Sequence, residues 1–197
     1  MTQFFCDVET TGLDPYTCSI FQISGIIVHN GVEEEFDFRI KPYRGEIITP
    51  EASEKTGITN EELSTYPSND EVFPQFLVLL DKYELGKAYA NKAFFVGYNS
   101  DFDMKFLRSW FEFNGDTKFG YRFWWPDLDV CRLAAFHLAG KRLEMRGFKL
   151  VDVYKYIFGE TFDNAHNSLA DIKATRRLFN YFLQEMMIPL RGTNVTS

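Results

Sequence analysis

Asn30-Gly31 stands between two runs of strand-forming residues, and no other pair in the chain constrains the fold as strongly. Ile20-Phe21-Gln22-Ile23-Ser24-Gly25-Ile26-Ile27-Val28 comes before it, and the alternating Glu35-Phe36-Asp37-Phe38-Arg39-Ile40 comes after, closed by Pro42. His29-Asn30-Gly31-Val32 predicts a hairpin turn, because the tight turn that suits twisted strands needs positive φ at both central residues. Asn and Gly meet that demand best. Thr2-Gln3-Phe4-Phe5-Cys6-Asp7 reads as another short, buried strand, so the chain opens with three antiparallel strands.

Helices follow. Ser68-Asn69-Asp70-Glu71 has the spacing of a capping box, and Val72, Phe76, Leu79, Leu80 and Tyr83 continue it at helical period. Ala93-Phe94-Phe95-Val96 is a short continuous apolar run, as suits a parallel strand covered on both faces. Ser100 is expected to cap a helix whose inner face is Phe102, Phe106, Leu107, Trp110 and Phe111. Phe123-Trp124-Trp125 predicts a fifth strand, and Asp127 a cap for a helix through Leu133, Phe136 and Leu138. A smaller helix, Leu150 to Phe158, should stop at Gly159. The last carries Ile172, Thr175, Leu178, Phe179, Phe182, Leu183 and Met186 on one face and stops near Pro189. This order predicts an α/β fold, a mixed sheet of three antiparallel and two parallel strands with helices on both faces. Residues 1–190 are expected to form one domain, with a short tail at 191–197.

Size and composition narrow the function. At 197 residues, with 45% hydrophobic residues, the chain can bury a substantial core. No apolar stretch approaches a membrane span, and Met1 to Asp7 lacks the basic and apolar regions of a signal peptide. Cys6, Cys18 and Cys131 are odd in number and scattered, which predicts reduced thiols and a cytoplasmic setting. A net charge of −7 argues against a general duplex binder, which gains affinity by neutralising phosphates with Lys and Arg. Metal ions in an acidic site can carry a phosphate contact instead.

Acidic residues with chemistry in view occur in separated pieces. Asp7 and Glu9, two apart on a strand, project to the same side, and Thr10-Thr11-Gly12 follows as a turn whose backbone can approach a ligand closely. A solvated strand end explains that pair equally well. Asp103 lies three residues after Ser100, and Asp171 three after Ser168, so each could be the far half of a capping box. His166 falls outside that explanation. It precedes Asp171 by five residues, from where it could face the same point and take a proton from an attacking water.

The contexts of these pieces resemble the DEDDh 3′–5′ exonucleases, the family of the proofreading subunit of bacterial DNA polymerase III. Phe5-Cys6-Asp7-Val8-Glu9-Thr10-Thr11-Gly12-Leu13 resembles the first motif. Val96-Gly97-Tyr98-Asn99-Ser100-Asp101-Phe102-Asp103-Met104-Lys105-Phe106-Leu107 resembles the second, and Ala165-His166-Asn167-Ser168-Leu169-Ala170-Asp171-Ile172-Lys173-Ala174-Thr175 the third. Ile48 to Ser53 and Thr56-Gly57-Ile58-Thr59 echo the family as well, so the similarity covers most of residues 3–185. Tyr98 and Thr56 stand where the family often has histidines. Asn167, four residues before Asp171, excludes the sister group with a tyrosine there.

The resemblance implies a ribonuclease H-like fold and a two-metal phosphodiester hydrolase that releases nucleoside 5′-monophosphates from 3′ ends. It implies Asp7 bridging two Mg²⁺ ions, for which Mn²⁺ would substitute, with Glu9 and Asp171 completing one shell and Asp103 helping to hold the other ion. His166 would be the general base. Thr10, Thr11, Gly12 and Leu13 would lie along the terminal nucleotide, with Phe102 near its base and Asn99 also in the substrate site. Single-stranded DNA is the first reading of the substrate and RNA trimming the second. A polymerase partner is compatible with the resemblance. A non-catalytic nucleic-acid or polymerase-binding module is disfavoured, because all five catalytic positions are filled.

Two other stretches have two readings each. Lys141-Arg142-Leu143-Glu144-Met145-Arg146-Gly147-Phe148-Lys149 could follow a phosphate backbone or be an ordinary solvated loop. Phe119-Gly120-Tyr121-Arg122-Phe123-Trp124-Trp125 could stack on bases, but core packing explains it better.

Overall fold

Two packed cores, one on each face of a single sheet, organise the computed structural model, which describes residues 1–162 and 168–187. The elements run β1 (Thr2–Thr10), β2 (Ile20–His29), β3 (Val32–Arg39), α1 (Pro50–Thr56), α2 (Asn60–Ser64), α3 (Asn69–Lys82), β4 (Ala93–Gly97), α4 (Asp101–Phe113), α5 (Phe119–Arg122), β5 (Leu128–Asp129), α6 (Val130–His137), α7 (Leu150–Phe158) and α8 (Ser168–Met187). The strand order is β3-β2-β1-β4-β5. β1, β2 and β3 pair antiparallel, and β4 and β5 continue in parallel, as expected from the sequence. The hairpin between β2 and β3 turns on Asn30 at φ 51° and Gly31 at φ 81°.

Alternation along β1 divides the cores. Phe4, Cys6 and Val8 belong to the side covered by α3 and α4, with Phe76, Phe106, Leu107 and Trp110. Phe5 belongs to the side covered by α6, α7 and α8, where its ring meets Phe179 edge-on at 5.4 Å between centroids. On a strand, Asp7 and Glu9 share the face of Phe5 and continue it beyond the apolar part. β1 also runs further than the sequence suggested, through Glu9 to Thr10, so both acids lie within the strand.

Several boundaries differ from expectation. Phe123-Trp124-Trp125 is not the fifth strand. Phe119 and Phe123 sink into the core, Phe123 makes one isolated bridge to Ala93, and β5 comes later. Consequently Asp129, not Asp127, caps α6, its carboxylate accepting from the Cys131 N–H at 2.9 Å. Ser100 does not cap α4 either. Its hydroxyl donates to the Asp127 carboxylate, which ties the start of α4 to the segment leading into β5. Met186, expected on the same face of the last helix as Ile172 and Phe182, is exposed. α1 and α2 were not expected. They are short helices with side-chain caps from Thr49 and Thr59. The capping box at Ser68 and Glu71 is present, and α7 ends at Gly159 with φ 72°. Among the described residues no helix is long and apolar enough to cross a membrane.

Candidate active site

The sheet's hydrogen bonding runs out at one point, and the candidate site begins there. β1 pairs with β4 only as far as Phe5 opposite Val96, while its pairing with β2 continues to Thr10. The Val8 N–H therefore has no β4 carbonyl beside it. It donates instead to Asp103 Oδ1, at 3.0 Å, from the first turn of α4. That bond fixes a carboxylate of one helical layer against the strand that carries Asp7 and Glu9. Asp103 is thus not the far half of a capping box on Ser100.

Asp171 arrives from the opposite layer. Asp7 lies opposite Ser24 in the β1–β2 register, and the buried Ser168 hydroxyl donates to Ser24 Oγ at 2.6 Å. The start of α8 is so anchored one strand away from Asp7, with Asp171 a turn further along. Asp7, Glu9, Asp103 and Asp171 line one cleft of about 270 Å³, together with Val8, Leu13, Lys55, Tyr98, Asn99 and Phe102. His166 lies outside the described residues.

These carboxylates are poorly placed for negative charge alone. Burial pushes Asp7 well above the usual carboxylate range, and the charges of Asp103, Glu9 and Asp171 push it further. Burial likewise raises Glu9 to about 7, with Lys55 pulling down and Asp171 pushing up. Asp103 rises to about 8 through burial, although the Val8 N–H favours its ionised form. A group of carboxylates that suffers from its own charge is a group that a cation would stabilise. All its donors are oxygens, which suits a hard divalent ion such as Mg²⁺ or Mn²⁺. In chemistry, then, the donor set fits a metal. Among the described residues no three His, Cys, Asp or Glu side chains already form a group able to hold one.

A second cleft, of about 470 Å³, adjoins the first and shares Val8, Glu9, Leu13, Lys55 and Phe102 with it. Thr10, Gly12, Thr49, Ala52 and Thr56 also line it. The turn after β1 is held by its own bonds. Thr10 Oγ1 donates to the Gly12 carbonyl at 2.7 Å, and the Thr49 N–H donates to the Thr11 carbonyl at 2.8 Å, which docks α1 against the turn. Gly12 has no room for a side chain, since a Cβ there would sit 2.7 Å from Cys18 Sγ and 3.0 Å from Thr49 Cγ2. Leu13 is 85% exposed and stands at the rim.

The structure therefore brings Thr10, Gly12, Leu13 and Phe102 to this cleft, and Asn99 to the acidic one, where its φ is 62°. Thr11 is different. Its side chain is fully buried, donates to Glu46 Oε1 at 2.8 Å and lines neither cleft, so it supports the turn from beneath. Tyr98 lines the acidic cleft and donates its hydroxyl to the Phe148 carbonyl at 2.7 Å, placing the basic stretch beside the site. Within that stretch Lys141 pairs with Glu144 at 3.0 Å, and Arg142 lies over the Phe148 ring. Lys55 went unnoticed in the sequence. It lies between the two family-like stretches that flank it, at the end of the short helix α1.

Comparison with known proteins gives a consistent picture. A family model described as exonuclease, RNase_T, matches residues 4–179. The PolC-type DNA polymerase III of Thermotoga petrophila is 32% identical over 181 residues, covering 91% of this chain and 12% of that protein. The epsilon subunit of DNA polymerase III from Aquifex aeolicus is 26% identical over 180 residues, covering 91% of this chain and 79% of that protein. E. coli exonuclease I in complex with a dT13 oligonucleotide shares the fold at a TM-score of 0.72 and 22% identity, over 93% of this chain and 41% of that one. Cell-death related nuclease 4 does so at 0.71 and 17%, over 93% of this chain and 64% of that one. The chain thus spans only a small part of the PolC-type relatives it matches.

Proposed function

From a chain that belongs to the exonuclease family, we propose a metal-dependent 3′–5′ exonuclease that shortens single-stranded DNA and releases nucleoside 5′-monophosphates. One observation carries the reading: Asp7, Glu9, Asp103 and Asp171, from three separate elements, line a single cleft that opens into a partly apolar one. The first offers a place for the reacting phosphate and its cations, the second for the terminal nucleoside.

Asp7, Glu9, Asp103 and Asp171 are the residues that would hold two Mg²⁺ ions, or Mn²⁺ in their place. Such ions, when bound, stabilise the charge on the attacking and leaving oxygens of an in-line displacement. Asp7 is central because Asp103, Glu9 and Asp171 all act on it. Asp103 keeps one oxygen on the Val8 N–H, which fixes its orientation. Leu13 and Phe102 supply apolar contact for the last nucleoside, and Gly12 lets the backbone approach it. Asn99 adds a polar contact beside the acids. His166, assigned from the sequence, would take the proton of the attacking water. The Aquifex relative is a DNA polymerase III subunit, and a polymerase is the protein partner this reading favours.

The test is a 5′-labelled single strand of DNA, and a matching RNA, incubated with Mg²⁺ or with EDTA. A ladder of shortened DNA products with Mg²⁺ and an intact strand in EDTA are expected. A mid-chain cut as the main product, or cleavage in EDTA, would defeat the proposal. Faster shortening of RNA would move the substrate to RNA.

A further inference from the structure

Lys55 occupies the boundary between the two clefts. It lies in the last turn of α1 and lines both the acidic cleft and the partly apolar one. Among the described residues it is the one Lys or Arg in either lining. α1 is held there by the Thr49–Thr11 backbone bond and ended by Gly57 at φ 74°, so the position of Lys55 follows from the turn after β1.

If the terminal nucleoside fills the partly apolar cleft and the reacting phosphodiester faces the carboxylates, the phosphate must lie where the clefts meet. We infer that Lys55 holds a non-bridging oxygen of that phosphate and so positions the last internucleotide linkage against Asp7, Glu9, Asp103 and Asp171. This inference rests on the exonuclease reading given above. The physical need is plain, because a phosphodiester carries a negative charge into a cleft already crowded with acids. An ammonium on a long flexible stem is suited to meet it as a point charge. Its field already reaches the acids, acting to favour the ionised forms of Asp7, Glu9 and Asp103. Its exposed position lets it be replaced without opening the core.

The product of the proposed reaction retains the phosphate in question, which makes a binding test direct. Titration calorimetry in Mg²⁺ would compare thymidine 5′-monophosphate with thymidine on the full chain, on Lys55→Gln and on Lys55→Arg. The full chain should prefer the monophosphate. Lys55→Gln should lose about tenfold of that preference, the scale of one charge-assisted hydrogen bond, with thymidine affinity unchanged. Lys55→Arg should restore most of it. An unchanged preference in Lys55→Gln would overturn the inference. So would a variant whose only change is in the Mn²⁺ concentration needed for thermal stabilisation, since Lys55 would then merely neutralise the acids. Failure of the exonuclease reading is separate: the unmodified chain would not shorten a labelled strand, whatever Lys55 does to nucleotide binding.

Discussion

The Val8 N–H donates to Asp103 Oδ1 at 3.0 Å, so a carboxylate of the candidate site also completes the hydrogen bonding of the central strand. The two roles can be separated. Asp103→Asn keeps an oxygen for Val8 and removes the charge, whereas Asp103→Ala leaves a buried N–H unpaired. In EDTA, Asp103→Asn should be more stable than Asp103→Ala by about 1–3 kcal/mol in denaturant unfolding. Neither should retain the proposed nuclease activity. Equal stabilities would show that the bond contributes nothing.

Without metal, stability should fall as pH rises. Asp7 is raised, Glu9 to about 7 and Asp103 to about 8, so the folded state binds protons that the unfolded chain gives up near its ordinary carboxylate range. That contribution is fully present below the unfolded values and is lost as pH climbs through the folded ones. In EDTA, melting temperature should therefore drop between about pH 5 and about pH 8, and less steeply in Asp7→Asn. Mg²⁺ or Mn²⁺ should raise it more at the upper end, where protons no longer compete. Identical pH profiles for Asp7→Asn and the unmodified chain in EDTA would contradict the coupling.

Asp7→Asn should also lose activity by at least about 10²-fold while keeping the far-ultraviolet spectrum of the unmodified chain. Its gain in melting temperature on adding Mn²⁺ should be smaller. A fully active Asp7→Asn would remove the central member from the proposed site.

His166→Ala should slow the reaction roughly 10²–10⁴-fold, the usual range for general-base catalysis. It should keep the Mn²⁺-dependent thermal shift, because His166 is assigned no place among the ion's holders. Near-normal turnover would mean that another group activates the water.

Gly12→Ala should destabilise the protein by about 1–3 kcal/mol, because its Cβ would meet the Cys18 sulfur and the Thr49 methyl. Thr49 docks α1, so nucleotide binding should weaken as well. Adding Cys18→Ala should recover part of the stability, and a neutral Gly12→Ala would show that the turn relaxes freely.

Much of this was legible from residue order, and the exceptions share a cause. Asn30-Gly31, the Ser68–Glu71 box, the apolar run at β4 and Gly159 each act through their immediate neighbours, and each is found as expected. That Asp7 and Glu9 point the same way also follows from strand alternation, though alternation did not say whether they act as a site. What misled was set by distant contacts. Ser100 and Asp127 carry the local marks of helix caps, yet they bind one another across 27 residues. Phe123 has the composition of a strand but is buried in the core, and the two-residue β5 exists because β4 offers it a partner. Thr11 looks like part of a ligand loop until Glu46 is seen to hold its hydroxyl inward. Lys55 gains meaning only once α1 is docked on the turn.

Asp7 and Glu9 lie on the first strand, Asp103 on a helix near the middle of the sequence and Asp171 on α8, held through Ser168 and Ser24. A chain still emerging from the ribosome can complete the early strands and α4 before the final carboxylate has been synthesised. A stalled or truncated product ending before α8 should thus be unable to hydrolyse nucleic acid. If the proposed activity holds, the chain acquires it only once α8 has docked beside β1.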